Sequence, residues 1–354
     1  MAQELNTGYV YAGVTRWLAG TQNGFFRLAH GQARWQCMSL GLPADVFVMC
    51  ITVHPVHRAT VYIGTQFGVF RSQDHGSSWT QLPLAPGPVQ VWSLTVHPTR
   101  PDTLWAGTSP LGMYRSDDAG QSWQLLSGAC LPNRLDMGSF RNRVMRITVD
   151  HHDPQALCAV MEVNGAMRSR DGGQTWQDGS DSLVRLADDP RLRSHIITEF
   201  DAEGMLDMHA VCSTPAAPNH VFAACRMGIF RSADGGLNWE DLRVDRFSPL
   251  SYARDIRPCP HDPQVLYATL NVSSSGPTGT IWRSADLGQS WSRFDHGISP
   301  SSTLMALAID PRDSQVVHVA SRVGQVFGTH DGGRSWQALP LPQGCLGTYA
   351  LAGG

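Results

Sequence analysis

The sequence contains no lysine, because all 27 basic residues among its 354 are arginines. Chemistry that needs a lysine amine, such as a Schiff base or the phosphate clamp of a P-loop, is therefore excluded. No apolar run is long enough to cross a bilayer, and a formal net charge of −3 provides no excess of positive charge for a phosphate backbone. We expect neither a membrane nor a nucleic acid as partner.

Metal-binding and secretory patterns are missing as well. The eight cysteines never occur in a CxxC spacing, and most lie in apolar, strand-like segments. This pattern favours reduced core residues over a disulfide or zinc framework. Residues 1–7 are polar and lack the charged start and apolar core of a signal peptide. We expect a cytoplasmic protein with no cofactor and no metal centre.

An internal repeat dominates the chain. A motif of the form Ser/Thr-x-Asp-x-Gly-x-x-Trp occurs six times, in five of them directly after a strand that ends in arginine, and a seventh, degenerate copy has His30 in place of the aspartate. Successive copies end at Trp35, Trp79, Trp123, Trp176, Trp239, Trp291 and Trp336. Spacings of 44 to 63 residues, with four short strands and turn signals in each unit, match a propeller blade.

We therefore predict an all-β, seven-bladed β-propeller of four-stranded antiparallel blades over residues 1–354. The N-terminal segments Tyr9–Gly13 and Arg16–Gly20 and the C-terminal Thr348–Ala352 read as strands. We expect the two ends to share one blade, which would remove an open sheet edge.

The repeated motif has a structural explanation. Its aspartate accepts hydrogen bonds from turn amides, its glycine takes a positive φ and its tryptophan packs between strands. The motif resembles that of the Asp-box, or BNR-repeat, propellers: sialidases, xyloglucanase-type glycosidases, sortilin-like receptors and photosystem II assembly factors. The resemblance implies the propeller fold, and it implies that the motif turns lie at the blade edge, away from the ligand face.

Extra chain length is concentrated on one predicted face. Two connections between blades, Ser127–Arg143 and Gly179–Leu206, are longer than the others, and so is the loop Asn271–Thr278 within the sixth unit. In a propeller these three segments open on the same face, so we expect the functional site there.

Charged residues replace small or apolar ones where the inner strands of units four to six begin. These positions hold Arg143, Arg146, Asp207, His209, Tyr252, Arg254 and Asp255, and the neighbouring second strands and loops add Glu162, Arg226 and Arg322. Two interpretations remain open. The residues form a ligand site at the channel mouth, or Arg146 with Asp255 and Arg254 with Asp207 are structural ion pairs.

The residue types allow more than one chemistry. Sialidases hold a carboxylate with three arginines and use a Tyr–Glu pair with an aspartate, roles open to Tyr252, Glu162 and Asp207; the Arg-Ile-Pro signature is missing, however, and sialidases have six blades. A xyloglucanase-type reaction needs two carboxylates across a cleft. The candidates are Glu162, Asp207 and Asp255, with Glu199, Asp201 and Glu203 on the long insertion. A metal site is a further alternative, since His195, Glu199, Asp207 and His209 are acceptable ligands for a divalent ion, although their spacing matches no metal-binding motif.

The sequence favours recognition of a small polar ligand, anionic or carbohydrate-like, at the channel mouth. A reaction of the glycoside hydrolase or lyase type is compatible with it. We expect Glu162, Asp207, Tyr252 and Asp255 as catalytic candidates, and Arg143, Arg146, His209, Arg226, Arg254 and Arg322 as ligand-binding residues. The alternative is a non-enzymatic propeller that docks a protein or peptide partner on the same face.

Overall fold

The computed structural model describes residues 8–17, 24–85, 87, 89–126, 135 and 141–354. Seven four-stranded antiparallel sheets are arranged as the blades of a propeller, which confirms the predicted fold. The innermost strands of the blades line a central channel. We call the face where these strands begin the mouth face.

We number the blades in chain order, the first being the one that contains both ends of the described chain. From the innermost strand outwards, blade one comprises Cys345–Gly353, Tyr9–Trp17, Phe25–Ala29 and Gln36–Cys37. Blade two comprises Val48–Val53, Val61–Thr65, Gly68–Ser72 and Thr80–Leu82. Blade three comprises Gln90–Val96, Leu104–Ser109, Gly112–Ser116 and Gln124–Leu125. Blade four comprises Arg143–Val149, Leu157–Glu162, Gly165–Ser169 and Gln177–Asp178. Blade five comprises Met208–Ser213, Val221–Cys225, Gly228–Ser232 and Glu240–Asp241. Blade six comprises Tyr252–Pro258, Leu266–Asn271, Gly279–Ser284 and Ser292–Arg293. Blade seven comprises Leu304–Ile309, Val317–Ser321, Val326–Thr329 and Gln337–Ala338.

The first blade combines strands from opposite ends of the sequence. Cys345–Gly353 forms its innermost strand and pairs antiparallel with Tyr9–Trp17, with Val10 opposite Gly353 and Tyr11 opposite Ala352. The ring of blades is thus closed by a backbone ladder between residues 328 to 343 positions apart.

The second strand of each blade explains much of the apolar sequence pattern. Val61–Thr65, Leu104–Ser109 and Val221–Cys225 are buried at every position, so both faces of these strands are covered. A strand covered on both faces carries a continuous apolar run instead of an alternating one. Because each blade packs face to face on its neighbours, these strands supply the core between blades.

Neighbouring inner strands are joined by side chains. The hydroxyl of Thr52 donates to the Leu94 carbonyl at 2.6 Å, and the hydroxyl of Thr95 donates to the Ile147 carbonyl at 2.6 Å. These bonds connect blade two to three and blade three to four. Threonines on the inner strands therefore satisfy backbone carbonyls that face the channel.

The Asp-box turns have the expected hydrogen bonds. In the copy at Asp74, the carboxylate accepts the amide of Ser78 at 2.9 Å, and the hydroxyl of Ser72 accepts the amide of Gly76 at 2.8 Å. The other five copies repeat this arrangement. In the copy at Asp118, hydrogen bonds from Ser122 and Ser116 lower the pKa of the carboxyl to about 2.

Few helical turns interrupt the strands of the described part of the chain. They are the α-helices Ser180–Leu186 and Glu203–Leu206 and the 3-10 turns Pro190–Leu192 and Val244–Arg246. Both α-helices belong to the predicted long connection between blades four and five. Most of the other long connection, between 127 and 143, lies outside the described residues, as does Cys130. No described helix combines the length and apolarity that a membrane span requires.

Candidate functional site

Each of the seven inner strands carries a β-bulge at its mouth end. The bulge is a break in register against the second strand, for example between Val48 and Cys50. The same break recurs in all seven blades. The bulged residues, in order around the ring, are Tyr349, Met49, Trp92, Met145, His209, Arg254 and Met305.

These seven residues all line one cavity of 390 Å³ that occupies the channel. The cavity extends to Pro55, Pro98 and Pro258 at the opposite end of the inner strands. A bulge re-aims a side chain locally, and bulges are frequent beside functional sites. The bulges therefore place one side chain per blade around the mouth of a cavity of ligand size.

Arg254 is the predicted ligand residue with the most distinctive environment. It is 8% exposed, and its guanidinium makes no hydrogen bond or ion pair with any residue that the structure describes. Burial alone would lower the pKa of Arg254, but Tyr252, Tyr349, Glu162 and Asp207 raise it. The predicted alternative, an ion pair between Arg254 and Asp207, is not formed. A buried guanidinium with open donors at a cavity mouth is suited to an anionic ligand.

Two aromatic side chains, Trp92 and Tyr349, lie in contact at the mouth, and Tyr349 is beside the guanidinium of Arg254. Their rings lie edge to face with centroids 5.8 Å apart. The guanidinium of Arg254 lies 5.5 Å from the Tyr349 ring centre, and that of Arg143 lies 4.1 Å from the Trp92 ring centre. The mouth thus combines flat apolar surfaces with positive charge.

Sequence reasoning missed both aromatic residues. Trp92 stood among the apolar residues of the ordinary units, and Tyr349 lay in the strand assigned to ring closure. Their shared position becomes visible only when the bulges are aligned.

His209 is the centre of a polar cluster beneath the mouth. Its Nδ1 donates to the Ala253 carbonyl at 2.7 Å, because a carbonyl oxygen can only accept. The other ring nitrogen, Nε2, lies 3.0 Å from the Tyr252 hydroxyl. Oδ2 of Asp207 is 3.4 Å from the same nitrogen and 3.8 Å from Nη1 of Arg226. The structure brings these four predicted residues together.

Glu162 and Tyr252 do not form the nucleophilic pair considered from the sequence. Glu162 is ion-paired with Arg143 across the first two strands of blade four, with 2.6 Å between Oε2 and Nε. The Tyr252 hydroxyl is directed to His209 instead. Burial raises the pKa of the Tyr252 phenol, which opposes formation of a phenolate nucleophile.

Asp207 also differs from what a general acid requires. Burial would raise the pKa of its carboxyl, but His209, Arg226 and Arg254 together lower it below the usual value. A glycosidase acid needs the opposite shift. Asp207 is thus held as a carboxylate.

Asp255 lies apart from the mouth cluster and is fully buried. It accepts Nη1 of Arg146 at 2.6 Å, Nε of Arg257 at 3.1 Å and the amide of Leu307 at 2.9 Å. This geometry does not favour its expected catalytic role, which stays a prediction, because both carboxylate oxygens already accept hydrogen bonds from these partners. The ion pair with Arg146, the alternative interpretation, is present.

Arg322 is also removed from the mouth cluster. Its Nη1 donates to the Ser274 carbonyl at 2.6 Å, in the predicted loop Asn271–Thr278. This bond fixes the loop to blade seven. Arg322 thus has a structural contact, and the ligand contact expected of it stays a prediction.

The acidic residues of the long insertion serve the insertion itself. Glu203 is fully buried and accepts the amides of Ile196, Ile197 and Thr198. His195 pairs with Asp201 at 2.8 Å, whereas His209 belongs to the mouth cluster. Over the described residues, no three His, Cys, Asp or Glu side chains are arranged to hold a metal ion.

The repeat and its geometry correspond to known proteins. The Sortilin-Vps10 family model, described as sortilin, neurotensin receptor 3, matches residues 227–344. The chain is a seven-bladed β-propeller whose hairpins carry Asp-box turns. A probable oligoxyloglucan-reducing end-specific xyloglucanase of Neosartorya fischeri is 20% identical to this Asp-box propeller over 366 residues, 89% of the chain and 43% of the relative. The chain therefore spans less than half the length of that relative.

Solved structures of similar fold include an enzyme and a peptide complex. The GH74 xyloglucanase of Xanthomonas campestris is 18% identical, with a TM-score of 0.63 over 86% of this chain and 46% of that one. The structure described as YCF48 bound to D1 peptide is 18% identical, with a TM-score of 0.54 over 84% of each chain. At these identities the likeness of the Asp-box propeller to both establishes the fold alone.

Proposed function

We propose that this propeller binds a small ligand bearing a carboxylate or similar anion at its channel mouth. The observation that carries the proposal is Arg254, a residue that is 8% exposed and whose guanidinium has no hydrogen-bonding partner in the described structure. Burying an unpaired charge is costly, so such a group is retained where a ligand completes its hydrogen bonds. Trp92 and Tyr349 supply ring faces that suit a sugar or a flat apolar group.

The first experiment compares two ligands that differ only at one carbon. Glucuronate carries a carboxylate where glucose carries a hydroxymethyl group. Calorimetric titration of the protein should give measurable binding of glucuronate and at least tenfold weaker binding of glucose. Arg254→Gln should weaken glucuronate binding about 10- to 100-fold, the range for a charge-assisted hydrogen bond.

Arg231→Gln is the matched control. Arg231 belongs to the third strand of blade five and pairs with Glu240 at 2.9 Å, away from the channel. Its loss should leave glucuronate binding unchanged. Equal binding of glucuronate by wild type and Arg254→Gln would overturn the proposal.

Glycoside hydrolysis is a second candidate function. It is favoured by two carboxylates, Glu162 and Asp207, which both act electrostatically on Tyr252 and Arg254, and by the xyloglucanase relatives. Against it, Glu162 is ion-paired with Arg143, and the pKa of Asp207 is lowered. Reducing-end release from xyloglucan oligosaccharides that is abolished by Glu162→Gln or Asp207→Asn would establish hydrolysis; no release above a protein-free blank supports binding alone.

A peptide is the third ligand class that the site accommodates. A peptide carboxylate would meet Arg254 as a sugar acid would, and the YCF48 structure contains a bound peptide. Competition between glucuronate and a short peptide with a free or an amidated C-terminus separates these ligands. Displacement by the free acid alone would indicate a peptide carboxylate.

A further inference from the structure

A second group of arginines lies deeper in the channel than Arg254. Arg146 and Arg257 line the same cavity and share one carboxylate, that of Asp255. Two guanidinium groups against one carboxylate leave a net positive charge inside the channel. The charge of Arg257, together with burial, lowers the pKa of Arg146, so the two cations act on each other.

The two guanidinium groups retain unused donors. Arg146 uses Nη1 for Asp255, and Arg257 uses only Nε. The terminal Nη1 and Nη2 of Arg257 and the Nε and Nη2 of Arg146 make no hydrogen bond with residues in the described part of the chain. Their side chains are 24% and 32% exposed although both lie on inner strands, so this surface faces the cavity.

Asp255 itself is satisfied without any ligand. It retains the amide of Leu307 and one guanidinium even when either arginine is removed. One arginine would suffice to neutralise this carboxylate. The second is therefore in excess of what the buried ion pair requires.

We propose that Arg146 and Arg257 form a second anion site, so that the channel takes an elongated dianion such as a dicarboxylate. This inference rests on the proposed function, because one end of the ligand meets Arg254 at the mouth. Arg254 and Arg257 are three residues apart on one strand, which corresponds to at most about 10 Å along the strand because of the bulge at Arg254. The cavity of 390 Å³ has room for a small molecule of that length.

The test compares diacids with their monomethyl esters, which have the same length and one charge fewer. Succinate, adipate and suberate and their monoesters are titrated into the wild-type protein by calorimetry. For the diacid of fitting length, we expect at least tenfold tighter binding than for its monoester. Arg257→Gln should abolish this preference, because the charge of the remaining Arg146 is then neutralised by Asp255.

Asp255→Asn gives a readout that a purely structural ion pair would not produce. Removing the negative charge leaves both guanidinium groups to the ligand, so the diacid should bind more tightly while the melting temperature falls. If Asp255→Asn fails to fold, Arg257→Gln alone decides.

The possible results separate the two proposals. Monoester binding that requires Arg254, with no gain for any diacid, overturns the deep site and leaves the mouth proposal standing. Diacid binding that requires Arg257 but is unchanged in Arg254→Gln keeps the deep site and overturns both the mouth contact and the bridging ligand. Binding of neither compound overturns both.

Discussion

The hydroxyl of Tyr252 lies 3.0 Å from Nε2 of His209, whose Nδ1 already donates to the Ala253 carbonyl. This pairing assigns Tyr252 a positioning role, since its hydroxyl is hydrogen-bonded to the imidazole and burial raises the pKa of its phenol. Tyr252→Phe should therefore lower the free energy of unfolding by about 1–3 kcal/mol, because the buried Nε2 loses its hydroxyl partner. Urea unfolding followed by tryptophan fluorescence measures this change.

Ligand binding separates this role from a reactive one. Glucuronate affinity of Tyr252→Phe should stay within about twofold of wild type, since Arg254 is untouched. Loss of binding at full stability would instead make Tyr252 a direct ligand contact.

Substitution in an Asp-box turn should affect folding and not recognition. The carboxylate of Asp234 accepts the amides of Leu237 and Asn238 at 3.0 Å and the Asn238 side-chain amide at 2.7 Å. Asp234→Ala removes these acceptors and should cost about 1–3 kcal/mol. Asp234→Asn, which keeps one acceptor oxygen, should cost less. Reduced glucuronate affinity in the folded Asp234→Ala protein would argue against a site at the mouth face.

Acid should destabilise the protein through His318, a buried side chain on the second strand of blade seven. Burial, with His30 and His330 nearby, lowers the pKa of His318 to about 3. The unfolded chain takes up this proton near pH 6.5, so stability is complete above that pH and falls towards pH 3 by about 1.4 kcal/mol per unit.

The variant His318→Leu isolates this contribution. It removes the titrating group from a buried site and should make the decline of unfolding free energy between pH 6.5 and 3 less steep by the same amount. An unchanged slope would mean that other groups, such as His54 and His75, account for the acid sensitivity; the pKa of each is also lowered by burial.

Truncation tests the closure of the ring. Deleting Gly344–Gly354 removes the innermost strand of blade one, including Tyr349, and exposes the edge of Tyr9–Trp17. The melting temperature should fall sharply because an apolar edge strand loses both its ladder and its core contacts. An unaltered melt would contradict the closure. Replacing only Leu346, an exposed residue of the same strand, with Ser is a control that should melt as the wild type does.

The sequence pattern predicts the fold well and the site in part. The motif spacing indicates seven blades because each copy marks one hairpin. The charged residues of units four to six indicate the mouth because they depart from the pattern of the other units. The partners of these residues could not be predicted. In the sequence, any polar residue at the mouth could be the partner of Tyr252, and only the three-dimensional arrangement of the strands shows that it is His209.

Trp92, Tyr349 and Arg257 show why the rest was missed. A bulge is a difference in residue count between two paired strands, so it has no signature in one strand alone. Arg257 carries a weaker signal: it lies two residues after Asp255 and therefore on the same face of the strand. Strand alternation applied to that pair would have found it.

The seven bulges have an evolutionary consequence. A bulged residue has no opposite number in the ladder, so its side chain can change without altering the pairing of its strand. Residues as different as Met49, Trp92, His209 and Arg254 already occupy this position in one chain. Ligand preference can thus change through substitutions at these seven positions while the strand pairing of every blade stays the same. A library confined to these seven codons would sample new specificities on an unchanged scaffold.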